Sequence, residues 1–177
     1  TDNTNLFLAK GFTINVIDKN EGPTDLSLSN TNIDENVDIG TVVGTFTTTD
    51  QDAGDTFTYT LNTSGVPFEI DGDKLKTLQS FNFESDPTSY SINVTSEDLG
   101  GLTFTREIEI KVNDINELPT NLTLSNNNVN ENVDSGTVIG SFTTTDPDAG
   151  DTFTYTLNTS GVPFDISDNQ LVTSGSL

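Results

Sequence analysis

The chain has 177 residues and contains no Cys, His, Met or Trp, and its 28 acidic residues face only six basic ones, giving a formal net charge of −22. Such a charge repels nucleic acid and anionic membranes, so we expect neither as a partner. The absence of Cys excludes disulfides and zinc–thiolate sites, and no apolar run is long enough to predict membrane insertion.

The sequence repeats itself with a period of 96 residues. Residues 23–81 align without a gap onto residues 119–177, and 41 of these 59 positions are identical. Self-similarity at a fixed period is typical of tandem repeat architectures. We therefore predict the end of a preceding repeat in residues 1–22, a complete repeat in residues 23–118, and the first part of the next repeat in residues 119–177. Both ends would then lie inside a repeat, as in a fragment of a longer array.

Within a repeat, apolar and polar residues alternate with a period of two, which is typical of half-buried β-strands. In chain order, this alternation predicts strands around residues 42–48, 57–61, 90–94 and 102–112, and residues 68–75 predict a hairpin that turns at Asp71-Gly72-Asp73. Gly44 and its copy Gly140 lie inside a predicted strand and indicate a bulge or tight packing. Arg106 interrupts an apolar face, so we expect it at an edge or rim.

About seven short strands in roughly 96 residues predict an all-β fold of tandem immunoglobulin-like Greek-key β-sandwiches, with seven strands per repeat. No segment has a helical period. Because the chain lacks a Cys pair and a buried Trp, an antibody-type domain is excluded.

Acidic residues cluster at three places outside the predicted strands, and each place recurs in the second copy. They are Asp34-Glu35-Asn36 with its copy Asn130-Glu131-Asn132, Asp50-Gln51-Asp52-Ala53-Gly54-Asp55 with its copy Asp146-Pro147-Asp148-Ala149-Gly150-Asp151, and Asp114-Ile115-Asn116-Glu117-Leu118-Pro119 with the earlier Asp18-Lys19-Asn20-Glu21-Gly22-Pro23. Calcium binds six to eight oxygens from carboxylates, amides and backbone carbonyls. The clusters therefore favour Ca²⁺ as a cofactor.

Two common calcium loops do not fit this spacing. In an EF-hand that starts at Asp50, position 5 is Gly54 and position 12 is Leu61, where acidic ligands are needed. The nonapeptide β-roll requires serial Gly-Gly-x-Gly-x-Asp motifs, which the sequence lacks. Simple Asp-rich turns are the alternative, because an Asp side chain can hydrogen-bond its own backbone.

With five motifs in one order within one period, the sequence resembles the cadherin family, and most closely bacterial cadherin-like tandem repeats. The matching residues are Glu35 in the place of the Pro-Glu-Asn glutamate, Phe81-Asn82-Phe83-Glu84 for Leu-Asp-Arg-Glu, Asp50-Gln51-Asp52-Ala53-Gly54 for Asp-Ala-Asp-x-Gly, Asp98 for the Ala-x-Asp-x-Gly aspartate, and Asp114-Ile115-Asn116-Glu117 for the linker Asp-x-Asn-Asp. Asn82, Glu117 and Asp34 depart from the family pattern.

The resemblance implies that calcium lies at the junctions between consecutive repeats. For the junction inside this chain it implies side-chain ligands Glu35, Glu84, Asn116, Glu117, Asp146, Asp148 and Asp151, with the backbone carbonyls of Ile115 and Leu118. For the earlier junction it implies Asn20, Glu21, Asp50, Asp52, Asp55 and Asp98.

The resemblance also implies a function: an extracellular stalk or adhesin segment, on a bacterial cell surface or secreted, that calcium stiffens. Its partners would be calcium, neighbouring repeats, and homophilic or surface-glycan or protein contacts. One alternative is a carbohydrate- or protein-binding β-sandwich module, and another is a salt-adapted sandwich without specific metal. An enzyme is not expected, because the acids lie at junctions and no His, Cys or Ser-centred constellation is present.

Overall fold

The computed structural model describes residues 8–175 and 177, and in this part of the chain every regular element is a β-strand. The strands are β1 Asp25–Leu28, β2 Asn32–Asp34, β3 Val42–Thr49, β4 Thr58–Leu61, β5 Phe68–Asp71, β6 Lys74–Thr77, β7 Ser89–Glu97, β8 Thr103–Asn113, β9 Asn121–Leu124, β10 Val138–Thr145, β11 Phe164–Ser167 and β12 Gln170–Thr173. The described residues contain no helix long and apolar enough to cross a membrane.

The chain divides into two compact units. Unit 1 comprises the segment up to Ile33, Asp38–Gln79 and Ser89–Lys111, and unit 2 comprises Asp34–Val37, Ser80–Thr88 and Val112–Leu177. The repeat boundaries predicted at residues 22/23 and 118/119 stay a prediction. Of the predicted segment 1–22, residues 1–7 lie outside the described residues.

The first repeat consists of two four-stranded antiparallel sheets, ordered β1-β3-β6-β5 and β2-β8-β7-β4. This confirms the predicted all-β sandwich. The described part of this repeat has eight strand segments rather than seven, because the first strand is split: β1 pairs with β3, whereas β2 belongs to the other sheet. A strand that changes sheets pairs with both layers, and alternation of side chains does not reveal such a break.

The core of the first repeat forms where alternate residues of the two sheets meet. Leu26, Leu75, Ile92, Val94 and Ile110 are fully buried. Two ring contacts join the layers: Phe46 of β3 stacks on Tyr59 of β4 at 5.2 Å between centroids, and Phe68 of β5 meets the edge of Tyr90 of β7 at 5.5 Å. Burying apolar side chains of this size is the main stabilising contribution to such a sandwich.

Local predictions about strand irregularities are confirmed. The β3–β6 register shifts between Val42 and Gly44, and the equivalent shift in β10 occurs between Val138 and Gly140. A Cβ on Gly44 would lie 2.8 Å from the carbonyl oxygen of Asn30, so no larger residue fits without displacing backbone. The predicted hairpin forms as β5 and β6, with Gly72 in the left-handed region at φ 62°.

The described part of unit 2 contains one whole sheet, ordered β11-β12-β10-β9. It repeats the register of the first sheet: Phe142 pairs with Leu124 as Phe46 pairs with Leu28. The stacked ring pair also recurs, with Phe142 and Tyr155 5.1 Å apart. In the described part of this unit, no strand is present between Thr145 and Phe164.

Candidate metal centres

Acidic residues collect at strand ends in both units, because each predicted cluster follows directly on a strand. Asp50 comes one residue after β3, Asp98 one residue after β7, and Asp114 one residue after β8. Strand ends leave backbone groups without ladder partners, so short polar side chains can satisfy them there. We call the group in unit 1 the first cluster (Asp18, Asn20, Glu21, Asp50, Asp52, Asp55 and Asp98) and the group in unit 2 the second cluster (Glu35, Glu84, Asp114, Asn116, Glu117, Asp146, Asp148 and Asp151).

In the first cluster, the loop after β3 folds its three aspartates towards one another. Carboxylate oxygens of Asp50, Asp52 and Asp55 lie within 4.8 Å of one another. The amide of Asp52 donates to Asp50 Oδ1 at 3.0 Å, which closes the turn, and Gly54 adopts a left-handed conformation at φ 98°. The alternating Asp-x-Asp pattern therefore makes the carboxylates converge, as the sequence predicts.

The segment that precedes β1 joins this cluster. The amide of Glu21 donates to Asp52 Oδ2 at 2.7 Å, and Asn20 Nδ2 donates to Asp98 Oδ2 at 3.0 Å. Oxygens of Asp18, Glu21 and Asp52 also lie within 4.8 Å of one another. The structure thus brings together all six residues predicted for the earlier junction and adds Asp18.

In the second cluster, Glu35 is the organising residue and is only 2% exposed. Its Oε2 accepts from the amide of Phe83 at 2.8 Å, and its Oε1 accepts from the amide of Ile115 at 2.9 Å. One carboxylate therefore fastens two loops that are far apart in sequence. Carboxylate oxygens of Glu35, Glu84 and Glu117 lie within 4.8 Å of one another.

The second cluster continues into the loop after β10. The amide of Glu117 donates to Asp148 Oδ2 at 2.6 Å, and the amide of Asp148 donates to Asp146 Oδ1 at 3.1 Å. These contacts repeat those of Glu21, Asp52 and Asp50 at an offset of 96 residues. Two further triads have carboxylate oxygens within 4.8 Å of one another: Glu84, Asp114 and Asp148, and Asp146, Asp148 and Asp151.

Three predicted ligands would bind through an amide or backbone carbonyl oxygen and not through a carboxylate. Asn116 donates from Nδ2 to the carbonyl of Glu117 at 3.0 Å, and its copy Asn20 makes the same contact at 3.2 Å. Ile115 contributes its amide to Glu35, whereas the expectation concerned its carbonyl. Leu118 is 83% exposed. The carbonyl ligands Ile115 and Leu118 remain predictions.

Asp18 and Asp114 belong to the acidic clusters noted in the sequence but are not among the predicted ligands. The structure places both among the converging carboxylates. The signal available in sequence was their position two residues before Asn20 and Asn116, because residues two apart in an extended segment point to the same side.

Four carboxylate oxygens in the described residues are buried and receive no hydrogen bond: Asp50 Oδ2, Asp55 Oδ2, Glu117 Oε2 and Asp146 Oδ2. All four belong to the two clusters. A buried charged oxygen without a partner is costly in an ordinary protein interior. These oxygens therefore provide a donor set that suits a hard cation, namely carboxylates supplemented by amide oxygens.

The pKa shifts in the first cluster agree with a group of crowded, partly buried carboxylates. Burial raises the pKa of Asp55, and the negative charges of Asp50, Asp52 and Asp98 raise it further. Asp98 differs: burial pushes its pKa upward, but hydrogen bonds from Asn20 and from the backbone amides of residues 100–102 outweigh this and lower the pKa.

Crowding of like charges is also evident in the second cluster. Burial raises the pKa of Asp114, and the charge of Asp148 adds to the effect. A backbone hydrogen bond lowers the pKa of Glu84, but burial and the charge of Glu35 outweigh it, so the pKa is raised. Unit 2 contains no Lys, Arg or His that could neutralise these acids. Two like charges about 4 Å apart repel by roughly 1 kcal/mol in water and roughly 4 kcal/mol where they are partly shielded.

An immunoglobulin-like sandwich with acidic clusters at its strand ends and linkers is similar to a cadherin domain, and comparison with known proteins gives the same likeness. No family model matches the chain. Human protocadherin gamma-A5 is 28% identical over 153 residues, which cover 78% of this chain and 16% of that protein. This chain is cadherin-like.

Solved structures similar to this chain include cadherin extracellular domains. The structure of protocadherin gamma B7 domains 3–6, described as a cis-dimer, matches with a TM-score of 0.60 and 27% identity, over 89% of this chain and 40% of that one. Human protocadherin-24 domains 1–2 match with a TM-score of 0.68 over 89% of this chain and 80% of that one, and at 20% identity this likeness shows the fold alone. The chain spans less than half of protocadherin gamma B7 domains 3–6 and about a sixth of protocadherin gamma-A5.

Proposed function

We propose that this chain is a segment of an extracellular adhesive or stalk protein, and that Ca²⁺ bound at the two clusters stiffens the linkers beside them. The observation that supports this most directly is the set of four buried, unpartnered carboxylate oxygens, all within the two clusters. Burial, together with repulsion between like charges, raises the pKa values of Asp55, Glu84 and Asp114. A hard cation would satisfy the unpartnered oxygens and cancel the repulsion.

The chain's own residues would determine how the metal acts mechanically. Glu35 holds the loop at Phe83 and the linker at Ile115 through two hydrogen bonds, and Asp148 holds the linker at Glu117. An ion among these carboxylates would neutralise the loop after β10 and the linker together. Without it, the same charges repel and loosen the linker at residues 114–119.

Extracellular calcium modules commonly have dissociation constants of about 10⁻⁴–10⁻³ M, so they fill outside cells and empty inside. We therefore propose an extracellular location, in agreement with the extracellular domains that the chain resembles. Homophilic contact is a reasonable partner class, because the gamma B7 structure is described as a cis-dimer. A bacterial origin, repeats beyond this chain and the absence of enzymatic activity all remain expectations.

Calorimetric titration with Ca²⁺ tests the proposal at constant ionic strength. We expect saturable binding and a higher melting temperature for the native chain. We expect Asp52→Asn to weaken Ca²⁺ binding at the first cluster clearly, and Asp148→Asn to weaken it clearly at the second. Asp165→Asn is the matched control, because it removes one charge from an exposed residue of β11 outside the clusters.

The control ions separate specific calcium from general screening. If Na⁺ at equal ionic strength raises the melting temperature as much as Ca²⁺, or if Asp165→Asn weakens binding as much as Asp148→Asn, the clusters are not specific calcium sites. The salt-adapted sandwich would then be the better account. Small-angle scattering with and without Ca²⁺ reports whether the linker stiffens, which is the mechanical part of the proposal.

A further inference from the structure

One edge of the sheet β2-β8-β7-β4 is only partly covered. Strand β8 has eleven residues and pairs with β7 along residues 103–111. On its other side lies β2, which has only three residues, and the amide of Lys111 donates to the carbonyl of Thr31 at 2.9 Å just before β2 begins. The chain before Thr31 belongs to the other sheet, where β1 pairs with β3. Among the described residues, the part of β8 from 105 to 109 therefore has a strand on one side only, and we call it the open edge.

The main chain of the open edge offers hydrogen-bond groups at alternate residues. In an antiparallel ladder, successive residues direct their N–H and C=O groups to opposite sides. The amide of Lys111 points towards β2, so the groups that point away from β7 in the open edge are those of Thr105, Glu107 and Glu109. No main-chain hydrogen bond reaches these amides within the described part of the chain. Such an unpaired row is a template for a further strand.

A cavity lies beside the open edge, in the gap where the first strand leaves one sheet for the other. It has a volume of about 250 Å³ and is lined by Ser27, Leu28, Thr31, Arg106, Glu107, Ile108 and Glu109. Ile108 is buried and Leu28 is half-buried, so part of the wall is apolar. Since an apolar cavity of about 150 Å³ admits a benzene ring, this one has room for an aliphatic side chain.

Arg106 fixes the two sides of this gap relative to each other. Its Nη1 donates to Asp25 Oδ1 and to the carbonyl of Leu26, both at 2.8 Å. These contacts join β8 to β1 across the gap. The cavity is therefore formed before any partner binds.

The solvent face of the open edge is acidic. Glu107 and Glu109 are both exposed. Lys111 Nζ lies 3.7 Å from Glu109 Oε2, whereas none of the ion pairs in the described structure involves Glu107. Two copies of the chain joined at this edge would bring their glutamates side by side, which is destabilising, and each copy has a net charge of −22. A partner with basic residues is complementary to this edge, and a second copy is not.

We propose that the open edge of β8 binds an extended segment of another protein in which apolar residues alternate with Lys or Arg. The segment would pair with the main chain of residues 105–109 as an additional strand. Alternate side chains of a strand point to opposite faces. The apolar residues of the segment would therefore enter the cavity beside Ile108, and its basic residues would lie beside Glu107 and Glu109.

This surface differs from the sites of the proposed function. The strands that border it, β1, β2, β7 and β8, all lie within residues 23–118. None of its residues belongs to the first or the second cluster. The binding of a strand here does not depend on calcium.

A synthetic peptide of sequence Lys-Val-Lys-Val-Lys-Val-Lys, with a fluorophore at one end, tests the proposal against the full chain. Physiological ionic strength screens long-range attraction to the acidic chain. Under these conditions we expect saturable binding, measured by fluorescence anisotropy. The control peptide Lys-Pro-Lys-Pro-Lys-Pro-Lys has the same charge, but Pro disfavours a paired strand, so it should bind far more weakly.

Amide hydrogen exchange followed by NMR locates the bound peptide on the chain. The amides of the open edge have no main-chain partner in the free chain, so their exchange should slow when the peptide adds a strand. We expect this at Thr105, Glu107 and Glu109. Residues 50–55 of the first cluster should change little.

Two pairs of chain variants complete the test, with circular dichroism to show that each variant is folded. Thr105→Pro removes one N–H of the open edge and should weaken binding, whereas Thr105→Val removes only the hydroxyl contact with Thr95 and should not. Glu107→Lys should weaken binding by about two- to thirty-fold, because an exposed attraction becomes a repulsion. Asp73→Lys makes the same charge reversal in the exposed turn between β5 and β6 and should have a smaller effect.

Several results would overturn the proposal. They are the absence of saturable binding, equal binding of the two peptides, and slowed exchange at the clusters without any at residues 105–109. Equal weakening by Glu107→Lys and Asp73→Lys would show general attraction to an acidic chain. Self-association that slows exchange at residues 105–109 without peptide would make a second copy the occupant.

Discussion

Glu35 shows how a buried carboxylate acquires a structural role. It is only 2% exposed, its Oε2 accepts from the amide of Phe83, and its Oε1 accepts from the amide of Ile115. The loop at Phe83 and the linker at Ile115 are what make this carboxylate structural. Glu131 occupies the equivalent place in the second copy of the motif and is exposed.

Glu35→Gln should destabilise unit 2 by about 1–3 kcal/mol even without calcium. A Gln amide replaces one accepting oxygen by a donor that faces a backbone N–H, so a buried donor loses its partner. Thermal unfolding in a chelator measures the effect. Glu131→Gln is the control, and it should be neutral to within about 0.5 kcal/mol. Equal effects in the two variants would contradict the structural role of Glu35.

Asp168 occupies a left-handed conformation, φ 54°, in the turn between β11 and β12, where the first repeat has Gly72. An L-residue is strained there, although Asp tolerates it better than most. Asp168→Gly should stabilise unit 2 by about 0.5 kcal/mol, and Gly72→Ala should destabilise unit 1 by about 1 kcal/mol. Urea unfolding measures both changes, and Asp168→Asn separates the effect of charge from that of the backbone. A stabilisation by Asp168→Asn equal to that of Asp168→Gly would assign the effect to charge.

At the scale of the strand, the bulge in β3 is fixed by close contact with the segment after β1. A Cβ at Gly44 would meet the carbonyl oxygen of Asn30 at 2.8 Å and its amide nitrogen at 3.0 Å, both backbone atoms. The Asn30 side chain in turn donates to the carbonyls of Asn32 and Val43. The bulge is thus where the first strand leaves one sheet for the other.

Gly44→Ala should therefore destabilise unit 1 by about 1–3 kcal/mol, because backbone must shift to accept the methyl group. Gly65→Ala is a useful contrast: Gly65 has open space around its Cβ position but a φ of 76°, so its cost comes from backbone strain alone. Denaturant unfolding of the two variants, with a crystal structure of Gly44→Ala, separates steric displacement from strain. An undisplaced Asn30 in that structure would contradict the argument.

At the scale of the whole molecule, the two clusters make the stability of the fold depend on pH. We expect this dependence to have one sign without calcium and the opposite sign with calcium. Asp55, Glu84 and Asp114 have raised pKa values in the folded state. Above their unfolded pKa, the folded state then binds more protons than the unfolded state, so stability rises as pH falls. In chelator, the melting temperature should increase when pH is lowered from neutral toward the raised pKa values.

With calcium saturating, the slope should reverse, because protons compete with the metal for the same carboxylates. Melting curves over a pH series with and without Ca²⁺ measure both slopes, and Asp114→Asn should flatten the slope in chelator. Parallel slopes with and without calcium would contradict the assignment of the clusters as metal sites.

The exposed ion pair of Asp71 and Lys76 contributes to the pH dependence separately from the clusters. The hydrogen bond between the two side chains lowers the pKa of Asp71 and raises that of Lys76. The stabilisation that this pair contributes is lost as pH falls through the lowered pKa of Asp71 and as pH rises through the raised pKa of Lys76.

Much of this molecule is determined by sequence alone. Alternation predicted the strands, the hairpin at Asp71-Gly72-Asp73 and the bulges at Gly44 and Gly140, because each of these depends on neighbours close along the chain. Charge and repetition predicted acidic clusters in which Asp50 and Asp52 converge, since an Asp-x-Asp turn closes on itself.

Only the tertiary structure decided which distant groups meet. The split of the first strand, the burial of Glu35 and the approach of Asp114 to Asp148 depend on register and on which loops come together across tens of residues. Local pattern fixes which face of a strand is apolar, and only packing determines what that face contacts.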